Sequence, residues 1–583
     1  MKRPAAYVGR SVALLWTLGV ACTGPQSARR AEPAVVNSRP VSSEPAPPPE
    51  EDIARARAEQ RIAAFAWEDL GPAALAKARA AGKLVLLDCV ATWCHWCHVM
   101  DDTTYTDPEL GAFIRDHVVA TRVDVDARPD ISARYEDFGW PATVIFSPQG
   151  EELGKFRGYM TAERRREILR AAQADQQAGP RAAEHPEHRD PAGLTESAAP
   201  VALLGWVGTR LVRDLDDYYD EKEGGWGRPQ KLPLGANIEV ELLRAAHGDP
   251  AAAARARQSL DQQRALLDPV WGGLYQYSVG GVWTRPHFEK RLPVQTDALQ
   301  AYARAIAGGG VGAAQDRRDA QRVVAYLNEF LRNRDGLYLV SQDADLGGHE
   351  KSARFVDGHV YYGLDDAHRR ALGVPRIDEH VYAYENGLAI AALSSLATAL
   401  GPKDEGAALL QAATRAAEHL TRTHLDPDGG VRREAVATST LRFVVDSAAL
   451  GRGLALLASA TQPPGPQRTA ERIAAAMWQH FYDAKSGLLW ASTLDPSASG
   501  VFARREQPFA ANVLAARFLA ALAKSSTVSP AQRAVYRARA QGLLSALARP
   551  AALAAQGRML GEYLLALDEV GALPWARRDQ GSG

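Results

Sequence analysis

Two cysteines three positions apart lie among histidines and tryptophans in the run Trp93-Cys94-His95-Trp96-Cys97-His98. Paired thiols at this spacing support three chemistries. As half of a zinc knuckle they need a second ligand pair. As Cys-x-x-Cys-His they match a haem c attachment site. As a dithiol they cycle between thiol and disulfide, with the thiolate as nucleophile. The only other cysteines are Cys22 and Cys89, so the second zinc pair is missing and no metal is expected. Haem would need a distal ligand and a helical or loop setting, whereas this motif directly follows a strand-like run. The expected chemistry is therefore redox exchange, with no cofactor beyond the disulfide itself. Cys94 would open a helix, whose free N–H groups and dipole favour a thiolate.

The elements that must hold this pair are legible around it. Lys83–Asp88 is an apolar run after a helical stretch, Ala73–Ala80, and reads as a buried strand. Val118–Asp126 and Ala142–Ser147 are rich in β-branched residues and read as two more strands. Leu153–Gly158 is a weaker fourth, and Ala162–Ala172 a closing helix. This is an α/β layer order.

Residues 63–173 resemble a thioredoxin-family domain. The run Cys94-His95-Trp96-Cys97-His98-Val99-Met100 is similar to the signature of the spermatogenesis-associated thioredoxin-like proteins and their bacterial relatives. Thr104–Leu110 is similar to the reducing domain of periplasmic disulfide-interchange proteins. The resemblance implies roles. Asp88, six positions before Cys94, takes the place of the buried carboxylate beneath the second cysteine. Pro141, in Trp140-Pro141-Ala142-Thr143, takes the place of the cis-proline lying against the disulfide. Cys94, the more exposed cysteine, is expected to attack a substrate disulfide, and Cys97 to resolve the adduct with Asp88 as proton acceptor. His95 and Trp93 are expected to tune the site, and Trp96 to form a rim for the partner. His98 and Cys89 read as a surface residue and a small core residue.

After residue 200 the pattern becomes alanine- and leucine-rich with apolar residues at three- and four-residue steps, which marks helices. Examples are Thr296–Ala307, Ala320–Arg332, Glu385–Leu400, Gly406–His424, Asp446–Ala458, Arg468–Phe481, Phe509–Ala523, Ala531–Ala548 and Arg558–Leu567. Related glycine-aromatic turns recur between them, as in Gly224-Gly225-Trp226-Gly227, Gly272-Gly273-Leu274-Tyr275 and Gly487-Leu488-Leu489-Trp490. Helix pairs with such a turn on one face argue for a toroid. The fold class is thus an α/β thioredoxin-like domain followed by an all-α (α/α)6-type toroid.

The family resemblance continues to about residue 450 through Gly225-Trp226-Gly227, Pro286-His287-Phe288-Glu289-Lys290, Gln342-Asp343-Ala344-Asp345 and Asn386-Gly387-Leu388. It implies a toroid similar to sugar epimerases and glycosidases, where carboxylates and histidines do acid–base work. His287, Glu289, Asp343, Asp345, Glu385 and Asp446 are its candidate cleft residues. The chain departs from the family after Lys290, where Arg291–Gln295 lacks the usual Tyr-Asp-Gln. It departs again at Glu385, where the family has tryptophan. The preferred expectation is that these loop residues plug the toroid and satisfy backbone groups.

With 583 residues, 46% hydrophobic content and 68 basic against 69 acidic residues, the chain is neither a disordered tail nor a nucleic-acid binder. Lys2, Arg3 and Arg10 precede a short apolar run, Ser11–Ala21, too brief for the about 20 residues a spanning helix needs. It reads as a signal peptide over 1–21, with Cys22 in a lipoprotein-like box. The expected location is periplasm-facing, with membrane contact only through signal or lipid. A proline-rich tether follows at 22–52, then the thioredoxin-like domain at 53–175, a polar linker at 176–199 and the toroid at 200–575. The function expected is an exported thiol:disulfide oxidoreductase acting on protein thiols and disulfides, its toroid binding a partner or ligand. The alternative is a carbohydrate-active toroid with an accessory thioredoxin domain.

Overall fold

The computed structural model describes residues 63, 65–177, 196–348, 355–436, 440–461, 464–573 and 575. The signal and lipidation readings at 1–22, the tether, the start of the first domain and most of the linker lie outside them.

The first domain is a five-stranded sheet in the order β1-β3-β2-β4-β5. β1 (Glu68–Asp69) and β2 (Leu84–Val90) run parallel to β3 (Val118–Asp124). β4 (Ala142–Phe146) pairs antiparallel with β2 and with β5 (Glu152–Arg157). Helices α1 (Pro72–Ala81), α2 (His95–Thr103), α3 (Pro108–His117), α4 (Pro129–Tyr135) and α5 (Ala162–Gln177) complete it. β2 is central and almost wholly buried. Its alternate side chains feed two cores, Val85, Leu87 and Cys89 into one, Leu84 and Leu86 into the other.

The second domain is an (α/α)6 toroid. Its inner helices are α7 (Gly235–Ala246), α9 (Leu292–Gly308), α11 (Ala383–Leu400), α13 (Val444–Thr461), α15 (Phe509–Lys524) and α17 (Gly561–Glu569). Each packs on the next, and α17 returns to α7, closing the ring. The outer helices are α6 (Leu204–Asp217), α8 (Pro250–Gln263), α10 (Ala313–Phe330), α12 (Asp404–Thr423), α14 (Pro464–Phe481) and α16 (Pro530–Leu547). α6, α7 and α8 precede the helices named as examples from sequence. Gly205 and Gly208 interrupt the first, α7 opens on Gly235, and α8 is built largely from alanine, glutamine and arginine.

The glycine turns are small hairpins at the ends of outer helices. Examples are the bridges Leu267 to Leu274 and Arg332 to Tyr338, and the paired strands Tyr482–Asp483 and Leu488–Leu489. A side-chain amide from the first turn of the next inner helix grips each of these hairpins. Gln295 bonds both N–H and C=O of Leu274, at 2.7 Å each. Asn386 does the same for Tyr338 at 2.8 Å, and Asn512 for Leu489 at 2.8 and 3.0 Å. These buried backbone groups would otherwise lack partners, which costs about 1–3 kcal/mol each.

Paired charges link the inner helices. Arg517 donates to Glu569 at 2.7 Å and to Glu562 at 2.5 Å, and Arg304 donates to Glu239 at 3.0 Å. Arg452 lies 3.8 Å from Glu569.

Candidate active site

Cys94 caps α2 in extended backbone conformation, and its Sγ accepts from the Cys97 N–H at 3.2 Å. Cys94 and Cys97 form a disulfide, with Cα atoms 5.3 Å apart. The sulfurs thus sit at a helix N-terminus, where backbone N–H groups stabilise negative charge. The Trp140–Pro141 bond is cis, and Trp140 packs on the core cluster holding both cysteines. Cys89 is a free, fully buried thiol, pushed well up by burial and then by neighbouring Asp88.

Asp88 is fully buried and faces Arg122 as its cross-strand neighbour. Arg122 donates to Asp88 Oδ2 at 2.9 Å and also pairs with Asp101. Asp88 Oδ1 has no hydrogen-bond partner among the described residues. No local motif marks a cation for this carboxylate; strand register sets Arg122 beside it.

Both cysteines are buried, Cys94 only marginally the more exposed at 3% against 2% for Cys97. The toroid covers them, using loops at the N-terminal ends of its inner helices. His95 Nδ1 lies 2.6 Å from Asp345 Oδ2, a close charge-assisted contact. Burial disfavours the imidazolium, but Asp345, with Glu289 and Asp357 beyond it, raises the His95 pKa to about 9. His98 is 5% exposed, not a surface residue, and its Nδ1 is 3.8 Å from Asp343 Oδ2. Trp93 is buried, donates to Asp126 at 2.6 Å and lies under the Arg291 guanidinium at 4.3 Å. Trp96 is half-buried, its ring 5.1 Å from His95 and 6.0 Å from Tyr159.

The six cleft candidates fall into two groups. Glu289, Asp343 and Asp345 are buried against the dithiol helix. Burial pushes Glu289 up to about 7. Beside them, His287 stacks on Tyr277 at 4.3 Å and is held down at about 4 by burial and by His95. Glu385 and Asp446 instead share Arg433, at 3.5 and 2.9 Å. Arg433 also donates to the Asp126 carbonyl of the first domain. Burial lifts Glu385 to about 7 against the pull of Arg433.

Lys290, in the motif between these residues, is structural. It is fully buried, donates to Asp268 at 2.6 Å and to the Gly272 carbonyl at 2.9 Å. Lys231 repeats the pattern on Asp220 and Gly224.

A second contact joins the domains away from the sulfurs. Val501 N–H donates to the Gly150 carbonyl at 3.1 Å, and Phe502 lies 5.4 Å from Phe146. Val501 is buried in the same core cluster as the cysteines. Gly150 and Gly500 approach so closely that a Cβ on Gly500 would stand 2.5 Å from the Gly150 oxygen. Arg134 pairs with Glu506 at 2.8 Å. Neither the loop around residue 500 nor Arg291 and Arg433 carries a sequence signal of docking, since the contacts cross hundreds of residues.

Residues 55–176 match the family model Thioredox_DsbH, described as "Protein of unknown function, DUF255". The first domain is thus similar to this thioredoxin-like family. Human spermatogenesis-associated protein 20 is 26% identical over 322 residues, covering 51% of this chain and 41% of that protein. The chain thus spans about two fifths of the length of that relative. The thiol:disulfide interchange protein DsbD 1 of Pseudomonas aeruginosa is 40% identical over 89 residues, covering 15% of each chain. Among solved structures, a D-mannose isomerase superposes with TM-score 0.46 at 12% identity, covering 63% of this chain and 97% of the isomerase.

Proposed function

We propose that the chain is an exported thiol:disulfide oxidoreductase whose dithiol works at the mouth of the toroid. The observation that carries this reading is the Cys94–Cys97 disulfide at the N-terminus of α2. A reductant dithiol first opens it, taking up its own disulfide. Cys94 thiolate then attacks a substrate disulfide, forming a mixed disulfide and expelling one substrate thiolate. Cys97, deprotonated with Asp88 as acceptor, attacks Cys94 and releases the second thiolate. Two electrons pass to the substrate and the Cys94–Cys97 bond is restored. Burial of both sulfurs means that protein substrates react only when the toroid loops move aside.

A Cys97→Ser variant tests this. It should accumulate mixed disulfides through Cys94 that dithiol releases. Failure to trap any thiol-bearing partner or small disulfide, while Cys94 remains alkylatable, would defeat the proposal. Export and lipidation at Cys22 belong to the same reading and are tested by membrane fractionation of wild type against Cys22→Ala. A second reading, acid–base chemistry on a carbohydrate, is supported by Glu385 at about 7, suited to a general acid. It requires sugar turnover that Glu385→Gln abolishes.

A further inference from the structure

We infer that the junction of the dithiol helix and the toroid is a binding site for one divalent transition-metal ion, centred on Asp345. Two triads share that carboxylate. His95, Asp345 and Asp357 form one, and His98, Asp343 and Asp345 the other; within each, one ligand atom per residue lies within 4.8 Å of the others. Tetrahedral bonds of about 2.1 Å hold neighbouring ligand atoms about 3.4 Å apart. The widest separations would close by at most about 1.4 Å to reach that spacing, while His95 Nδ1 and Asp345 Oδ2, at 2.6 Å, would move apart to admit the ion. The donor set is imidazole nitrogen plus carboxylate oxygen, which suits zinc, cobalt, nickel or iron(II) better than calcium or magnesium.

A second, independent feature points the same way. Glu289 is only 3% exposed, and its Oε2 has no hydrogen-bond partner among the described residues. It interacts electrostatically with His95, Asp345 and Asp343. A buried carboxylate oxygen without a donor, set among other carboxylates, is the environment a cation relieves. Access is available as well. A cavity of about 950 Å³ is lined by Leu346, Gly347, Gly348 and His380. Gly348 lies against the cluster, since a Cβ there would stand 2.9 Å from His98 Nδ1 and 3.2 Å from Asp343 Oδ2.

The ligands come from both domains, His95 and His98 from α2 and the carboxylates from the toroid. A bound ion would clamp the dithiol helix to the toroid, next to the sulfurs but without using them.

The full chain carrying Cys94→Ser and Cys97→Ser tests this, because thiolates can no longer bind metal. Titration of the metal-free protein with cobalt(II), read by visible absorption and by elemental analysis after desalting, should give one ion per chain. No sulfur-to-cobalt charge-transfer band should appear. Asp345→Asn, which keeps an oxygen for the Gly358 N–H that Asp345 Oδ1 accepts at 2.9 Å, should weaken binding at least tenfold. His98→Gln should do the same, with circular dichroism confirming that the fold is kept. Absence of stoichiometric cobalt in the folded double-serine protein would overturn the inference. So would undiminished binding in both the Asp345 and His98 variants.

Discussion

His95 and Asp345 stand 250 positions apart in the chain, yet their side chains meet at 2.6 Å. That contact joins the residue beside Cys94 to a loop of the toroid. The dithiol is therefore not a free-standing redox head on a flexible stalk. It is seated, and its neighbours come from both domains.

Seating predicts slow thiol reactivity. Gly500 has φ +59°, and a Cβ there would also press on Gly150, so Gly500→Ala should loosen the docked loop. After reduction, Cys94 should react with iodoacetamide at least tenfold faster in this variant, while the toroid's helical signal is kept. Equal rates in variant and wild type would show that this loop does not control access.

Asp88 divides its oxygens between Arg122 and an unbonded position. Asp88→Asn keeps the shape and removes the proton acceptor. Resolution of a mixed disulfide by Cys97, followed in stopped flow, should slow by about 10²-fold, the usual contribution of a general base. An unchanged resolution rate would reduce Asp88 to a structural partner of Arg122.

Asn386 holds Tyr338 by two bonds and the Tyr382 carbonyl by a third at 3.0 Å, all buried. Asn386→Ala should cost roughly 2–5 kcal/mol and lower the thermal midpoint clearly. A substitution that leaves urea and thermal midpoints in place would mean the hairpins are held by other contacts.

Asp297, on α9, is raised to about 8 by burial and then by Glu562, despite accepting from Gly235 N–H at 2.6 Å. Its unfolded value is about 3.9. Between these values the folded chain holds a proton that the unfolded chain has released. This carboxyl's contribution to stability therefore falls as pH rises from about 4 to about 8, by at most about 1.4 kcal/mol per pH unit. Asp297→Asn should flatten the decline in urea midpoint between pH 5 and 8. A variant with the wild-type slope would remove Asp297 from the account.

What the sequence made legible was local. Strands such as Ala142–Phe146 show in β-branched runs, and α15 in a largely apolar stretch preceded by Pro508. The dithiol is named by spacing within six residues. The polar outer helix α8 shows less, because alanine, arginine and glutamine carry little periodic contrast. The cleft candidates His287, Glu289, Asp343 and Asp345 came from motif resemblance, which could not reveal that α2 would rest on them. Burial of the sulfurs is invisible in the sequence for the same reason. The covering groups, Arg291, Asp345 and Val501, are scattered along the chain, and nothing short of the fold gathers them.

Ion pairs among the inner helices have a consequence for the ring's cohesion. Arg517 on α15 holds both Glu562 and Glu569 of α17, and Arg304 on α9 holds Glu239 of α7. These neighbours are therefore tied by charge as well as by apolar packing, so a substitution at Arg517 would be felt on two helices at once.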